Sequence, residues 1–459
     1  MQREIAMIYR DKADLLANSG IQVGESHLKI NNLDFFKEKV VDNLVETIVK
    51  SDSIPLRELC HSVVKAAAKE FGVFPSSIQN LYEARAKEGI IHFTVPAVNL
   101  RILTYDSARA VFRAAKKINA GAFIFEIARS EISYTEQRPQ EFSAYIFLAA
   151  IKEDFTGPIF LQGDHFQVNA QDFLQNKDRE INNLKDLISE AIEAGFYNID
   201  IDSSTLVDMS ELSIPGQQAL NVDVCADLTK FIREQQPQGL EISIGGEIGE
   251  VGGKNSTLEE LNAFMHGYLS KIDELTPISK ISVQTGTSHG GLVKPDGSIA
   301  EVKIDFITLK ALSQMARTEF GLAGAVQHGA STLPGDSFSL FPEFECAEIH
   351  LATQFQNIAF DLFPISLKEK IYRWLHENCA DEKKPDLSEE QFIYKTRKKA
   401  LGPFKKDIYS LSTDLKESIS FSLEDEFLFL FKQLNIKDTH VLVGKYIKSL
   451  LLNMSSRNS

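Results

Sequence analysis

PIFLQGDH, residues 158–165, starts as an apolar run and ends on a carboxylate and an imidazole, Asp164 and His165. Three other stretches share this plan. EISIGGE (241–247) ends at Glu247, ISVQTGTSH (281–289) ends at His289, and GAVQHG (324–329) carries His328. Taken alone, a histidine at a strand end is ordinarily a hydrogen-bonded structural residue, and a glycine-rich turn after it is ordinarily a tight connection. Agreement among the four carries more weight. In a parallel β/α barrel the site is assembled at the carboxyl ends of the strands, from loops far apart in sequence. Imidazole nitrogens and a carboxylate suit zinc, which acts as a Lewis acid when a position is left for substrate.

Working outward, strand-like runs recur at 90–99, 122–128, 158–165, 197–202, 241–247, 280–286, 324–329 and 347–354, with helical periodicity between them. Eight alternating units predict an α/β chain folded as a (β/α)8 TIM barrel over residues 89–365. An open doubly wound sheet would need a phosphate-binding glycine pattern after the first strand, and VPAVNLR (95–101) has none. Residues 1–88 are expected to form an N-terminal helical extension. LDFFKEKVVDNLVETIVKS and LRELCHSVVKAAAKEFGV both repeat apolar residues at three and four, and a further helix starts near Ser76 and Ser77 and ends at Gly89. Residues 366–459 read as a charged C-terminal helical region broken at Pro385 and Pro403.

Acidic residues outnumber basic ones, 64 to 49, for a net charge of -15. That argues against nucleic acid, which needs a basic footprint. It does not exclude a phosphorylated small molecule. No apolar run approaches a membrane span, and the charged N-terminus lacks a signal-peptide core. Cys60, Cys225, Cys346 and Cys379 are scattered, without disulfide or zinc-finger spacing. The expectation is a cytoplasmic protein with reduced thiols and no membrane partner.

Asp164 stands beside a metal-competent histidine and can move a proton on a substrate held there. Glycines flank Glu247, and glycine or serine follows His289 and His328, where backbone N–H groups can cradle a phosphate or carboxylate. Asp200 and Asp202 alternate along YNIDID and share one strand face. Two carboxylates there need donors or a cation, and Asp202 is a candidate ligand for a second divalent ion. His27, His61, His92, His266, His376 and His440 lie in helical stretches or inside a strand and read as structural.

Over roughly residues 89–415 the chain resembles the class II, metal-dependent fructose-bisphosphate and tagatose-bisphosphate aldolases. The family's Asp-His pair after the third strand matches Asp164 and His165. Its E-x-G-x-x-G-G motif matches 247–253, its G-T-[SA]-H-G motif matches 286–290, and its H-G-[GA]-S motif matches 328–331. The resemblance implies that His165, His289 and His328 hold a catalytic zinc and that Asp202 and Glu247 serve an alternative or second metal position. It implies that Asp164 protonates the aldehyde oxygen and that Gly290, Gly329, Ser331 and Thr353 contact the ketose-phosphate half. The expected reaction is cleavage or formation of a carbon–carbon bond in a ketose (bis)phosphate such as fructose 1,6-bisphosphate, giving dihydroxyacetone phosphate and an aldehyde. The expected setting is glycolysis or related carbohydrate metabolism, in a homodimer or higher homo-oligomer.

The chain departs from that family at three places, one of them just after the G-G pair, where the family's acidic residues are replaced by Lys254 and Asn255, with Glu259 and Glu260 slightly farther along. After the eighth strand the family reads K-[IV]-N-[IV]-x-T-D, whereas this chain reads EIHLATQ (348–354), so only Thr353 is kept. After the second strand a serine is replaced by Ala128, followed by Arg129, whose fork suits an anionic group. These changes leave two alternatives open. One is a metal-dependent aldolase for a different sugar or oxo acid. The other is a non-catalytic supporting subunit, because the added length and the G-D-H sequence also resemble the larger subunits of tagatose-bisphosphate aldolases.

Overall fold

The computed structural model describes residues 6–23, 28–249, 254–286, 294 and 304–447. Eight parallel strands form the barrel: β1 Val95–Asn99, β2 Ile124–Ala128, β3 Gly157–Gln167, β4 Asn198–Asp202, β5 Ser243–Glu247, β6 Lys280–Val283, β7 Ala325–Gln327 and β8 Glu348–Leu351. Each pairs with the next, and β8 pairs back onto β1 through Glu348↔Val95 to Leu351↔Val98, so the ring is closed. Helices follow the strands and cover the outside. All residues of β1, β2, β4 and β5 are buried, the two-sided burial that makes parallel strands read as near-continuous apolar runs.

The exceptions to apolar character point into the bore. Glu126 of β2, Asp200 of β4, Lys280 of β6 and Glu348 of β8 come from alternate strands, as barrel layers do. The Lys280 ammonium donates to Asp200 Oδ2 at 3.0 Å, to Gln162 Oε1 at 2.8 Å and to Glu348. Gln162 in turn donates to Glu348 Oε1 at 2.8 Å and to Glu126 Oε2 at 3.2 Å. Gly245 makes room for this cluster. A Cβ there would stand 2.3 Å from Asp200 Oδ1 and 3.0 Å from Lys280 Cε.

β3 carries a bulge where its chemistry lies. Its register with β4 runs Gly163↔Ile199 and then Phe166↔Ile201, so one extra residue is accommodated at Asp164–His165. A regular strand would send these neighbours to opposite faces. The bulge, with His165 at φ +39°, lets both side chains address the barrel mouth. Gly163 is required by packing, because a Cβ would lie 2.5 Å from the Phe166 ring.

The N-terminal region contains the expected helices, including Val41–Lys50, Ile54–Glu70 and Gln79–Glu88, the last ended by Gly89 at φ +70°. It differs from a wholly helical extension in two places. Ile21–Val23 pairs antiparallel with Leu28–Ile30. Val73–Ser76 joins the barrel sheet, parallel to the first half of β3. Four residues between Gly72 and the next helix carry too little pattern to announce a strand, and their partner lies some eighty residues away. Helix Gln79–Glu88 closes the barrel bottom. Its buried Arg85 donates to the carbonyls of Phe93 (2.6 Å), Cys346 (2.9 Å) and Ala323 (3.1 Å), and its Tyr82 hydroxyl bonds Glu348.

In the C-terminal region, helix Thr413–Gln433 lies along helix Thr104–Lys117. Arg113 Nη2 meets Ser420 Oγ at 2.8 Å, and Phe431 stacks on Phe123 at 5.7 Å. The four cysteines are buried and free. Among the described residues no helix is long and apolar enough to cross a membrane.

Replacing Lys280 with methionine should leave Asp200 and Glu348 as uncompensated buried charges. The expected loss is about 3–5 kcal/mol in urea denaturation. A loss below about 1 kcal/mol would show that Lys280 does not neutralise the bore.

Candidate metal centre

Three side chains from separate strands meet at the barrel mouth. His165 comes from the β3 bulge, Glu247 ends β5, and His328 directly follows β7. One ligand atom from each lies within 4.8 Å of the other two. His165 Nδ1 stands 3.1 Å from Glu247 Oε2 and 3.0 Å from Asp202 Oδ2, and the His165 and His328 rings are 4.0 Å apart. Outer groups hold these positions. Asp202 also accepts from Gln167 Nε2 at 2.6 Å and Ser204 Oγ at 2.7 Å, and Ser282 Oγ lies 3.0 Å from His328 Nε2. Such partners fix ring orientation and tautomer around a metal. Asp202 thus sits against the three-ligand group, on the same His165 Nδ1 that Glu247 contacts. His289 and Gly290 lie outside the described residues.

Sequence reading did not single out His350. It lies on β8 with Nδ1 at 2.9 Å from Glu126 Oε2 and 3.0 Å from Asp164 Oδ1, and Nε2 at 2.8 Å from Glu348 Oε1. Its ring is 3.9 Å from that of His328. Asp164, His328 and His350 form a second close group. A third, Asp200, Glu348 and His350, already has the Lys280 ammonium on both of its carboxylates. The signal for His350 was present in EIHL, where an imidazole follows a carboxylate by two residues and so shares its face.

The other expected residues fall around the same space. Gly329, Ser331 and Thr353 line one cavity of about 890 Å³ with His165, Glu247 and His328. Ser331 Oγ accepts the Ala352 N–H at 2.7 Å and ties the β7 loop to the end of β8. Arg129 lines the cavity with its guanidinium already engaged, by Glu180 of helix Lys177–Glu193 and by the carbonyl of Gln167 at the end of β3 at 2.7 Å.

The electrostatics fit a divalent cation. Asp164, Asp202, Glu247, Glu126, Asp200 and Glu348 are all buried. Burial, then the neighbouring Asp202 charge, pushes Glu247 up to about 8. Burial, then the Asp164 charge, raises Glu126. Burial would lower His165, but Asp164, Glu247 and Asp202 hold it well above the ordinary histidine value. For His350 burial is likewise outweighed, by Glu126 and Asp164. Without a metal ion, the positive charge among these carboxylates comes from Lys280 and from the protonated rings of His165 and His350. Two imidazoles and a carboxylate form a donor set that zinc accepts.

No protein-family model matches the sequence, and no curated protein matches it. Solved structures match in fold. A probable tagatose 6 phosphate kinase from Sinorhizobium meliloti 1021 superposes with a TM-score of 0.53 at 17% identity, covering 77% of this chain and 99% of that one. The fructuronate-tagaturonate epimerase UxaE from Cohnella laeviribosi superposes with a TM-score of 0.52 at 12% identity, covering 84% and 86%. A fructose-bisphosphate aldolase from Campylobacter jejuni gives a TM-score of 0.49 at 19% identity over 80% and 97%. At these identities the first two superpositions show a likeness of fold alone.

Metal uptake should depend on pH with a defined sign. The raised pKa of His165 stabilises the metal-free chain below the ordinary histidine value of about 6.5, and that contribution fades as pH rises through the folded value. A cation must displace the proton. The rise in Tm caused by saturating zinc should therefore grow from about pH 6 to about pH 8. A shift that is flat or shrinks over this range would remove these histidines from the ligand set.

Proposed function

We propose that this chain is a metal-dependent aldolase that cleaves or forms a carbon–carbon bond in a ketose phosphate, with dihydroxyacetone phosphate as one product. The observation that carries the reading is the convergence of His165, Glu247 and His328 in a large cavity at the carboxyl end of a closed barrel. Fold alone would not carry it, since one barrel hosts many chemistries.

In this reading His165, His328 and Glu247 hold a zinc ion. The resemblance adds His289 as a further ligand and gives Asp202 an alternative or second metal position. Bound there, the ion supplies Lewis acidity that polarises a ketose carbonyl. The rest falls to the chain's own groups. Asp164 stands beside the ligands, with Oδ1 3.7 Å from His165 Nε2, and hands a proton to the aldehyde oxygen or takes it back. His350 holds Asp164 in place at 3.0 Å. Gly329, Ser331 and Thr353 contact the ketose-phosphate half. Lys280, inside the bore, is no Schiff-base nucleophile. Burial would lower its amine, but Asp200 and Glu348 hold it charged above the ordinary lysine value, and a protonated amine does not attack a carbonyl. Assembly as a homodimer belongs to the same proposal and is read by light scattering.

One observation favours a second reading. Aldol cleavage moves two protons, one on oxygen and one on carbon, and the contacting pair His350–Asp164, backed by Glu126, would equally serve removal and return of a proton at one carbon, the chemistry of an epimerase acting on a ketose acid.

Elemental analysis with a coupled assay separates these readings. One zinc per chain and chelator-sensitive cleavage of fructose 1,6-bisphosphate is the expected result. Zinc without cleavage, together with interconversion of ketose acids, would replace the first reading by the second. Neither zinc nor cleavage would overturn both. His328→Ala should lose metal and activity while the barrel stays folded. Asp164→Ala should keep zinc and lose about 10²–10⁴-fold in turnover, and unchanged turnover would move the proton transfer elsewhere.

A further inference from the structure

The cavity that holds His165 and His328 is not walled by the barrel alone. Helix Glu389–Thr396 and the turn Arg397–Ala400, from the C-terminal region, contribute Lys395 and Lys398 to its lining, beside Arg101 from the loop after β1. The cations around these two lysines are already engaged. Arg101 pairs with Glu131 at 2.5 Å and Lys405 with Glu141 at 2.9 Å, while Lys399 pairs with Glu382. Arg397 is spread over the rings of Phe360 and Tyr394 at 4.8 and 4.5 Å. Among the described residues, Lys395 and Lys398 have no carboxylate partner within ion-pair distance, in a chain of net charge -15.

Their backbone is anchored. The Gly402 N–H donates to the Tyr134 carbonyl at 2.8 Å, and a Cβ at Gly402 would lie 2.8 Å from that same oxygen. Lys405 Nζ donates to the Glu136 carbonyl at 2.6 Å, and Lys398 Nζ lies 5.6 Å from the centre of the Tyr134 ring. Two ammonium groups are thus carried by a tethered segment on the wall of a cavity whose opposite chemistry is metal-binding. Lysine is a point-charge binder of phosphate and carboxylate.

We infer that Lys395 and Lys398 form a subsite for a terminal oxyanion, phosphate or carboxylate, on the end of the substrate remote from the metal ligands. This rests on the proposal that a polarised carbonyl binds at His165 and His328. It gives the C-terminal region a role in choosing substrate, because the barrel loops themselves leave that wall without an uncommitted cation.

The test is calorimetric titration of the full-length protein with glycerol 3-phosphate, D-glycerate and glycerol, with zinc measured on the same samples. Wild-type protein should bind at least one anionic probe and not glycerol. The double variant Lys395→Ala/Lys398→Ala should weaken that probe about tenfold or more, and Lys398→Glu should weaken it further, with zinc content unchanged in both. Dependence for glycerol 3-phosphate alone supports the inference with phosphate as the group, and dependence for D-glycerate alone supports it with carboxylate. Equal affinity in wild type and variants, or no binding of either anion to wild type at millimolar concentration, overturns it. Lysine-dependent binding in a protein that takes up no zinc would keep the subsite and remove the metal-dependent reading.

Discussion

An ammonium group inside the barrel is the constraint on which the rest of the structure depends. The bore and its mouth collect six buried carboxylates, an arrangement that separates or takes up protons unless positive charge is placed among them. Lys280 supplies that charge where no metal is needed. Its pairing with Asp200 and Glu348 holds Glu348 below the usual carboxylate range against the effect of burial. A charged Glu348 then faces His350 Nε2, and His350 turns its Nδ1 to Asp164. The lysine at the waist of the barrel thereby sets the orientation of an acid at its mouth. The N-terminal helix belongs to the same chain of contacts, since Tyr82 bonds Glu348 from below.

The second constraint is steric, and it acts on one strand. Asp164 and His165 are neighbours in sequence and both face the site, which the pleat of a strand forbids. The bulge resolves the conflict by placing His165 in left-handed backbone, a conformation that costs energy for a residue with a side chain. The surrounding contacts hold it there. Gly163 admits the Phe166 ring on one side, and the carboxylates of Asp202 and Glu247 fasten the imidazole on the other. Local strain is thus balanced by contacts from β4 and β5, strands that become neighbours only when the barrel closes.

That dependence on closure explains which features could be read from the sequence. The eight barrel strands were legible because two-sided burial writes each as an apolar run, and the helices between them keep a period near 3.6. The ligand candidates His165, Glu247 and His328 were legible because each ends such a run. Long-range contacts were not. Val73–Ser76 is a strand only by virtue of β3. Arg129 looked available because Glu180, which occupies it, lies far along the chain. Lys280 drew no attention within KISV because its partners come from β4 and β8. His350 was set aside as a departure from a family pattern, although EIHL places it on the same face as Glu348.

His350 also bears on whether the barrel is a working enzyme or a support for another subunit. A chain that only supports a partner has no use for buried carboxylates and imidazoles at its centre, where each unsatisfied charge lowers stability and an apolar filling would serve as well or better. Here the reverse holds. Where the aldolase pattern has an amide, this chain has an ionisable ring in contact with Asp164, Glu126 and Glu348. Held protonated by Glu126 and Asp164, that ring adds positive charge at the mouth of the bore to the charge that Lys280 supplies at its waist. The substitution that weakens the match to the aldolase pattern thus sets an ionisable ring against Asp164, and the contact between Asp164 and His350 is where this chain departs from that pattern.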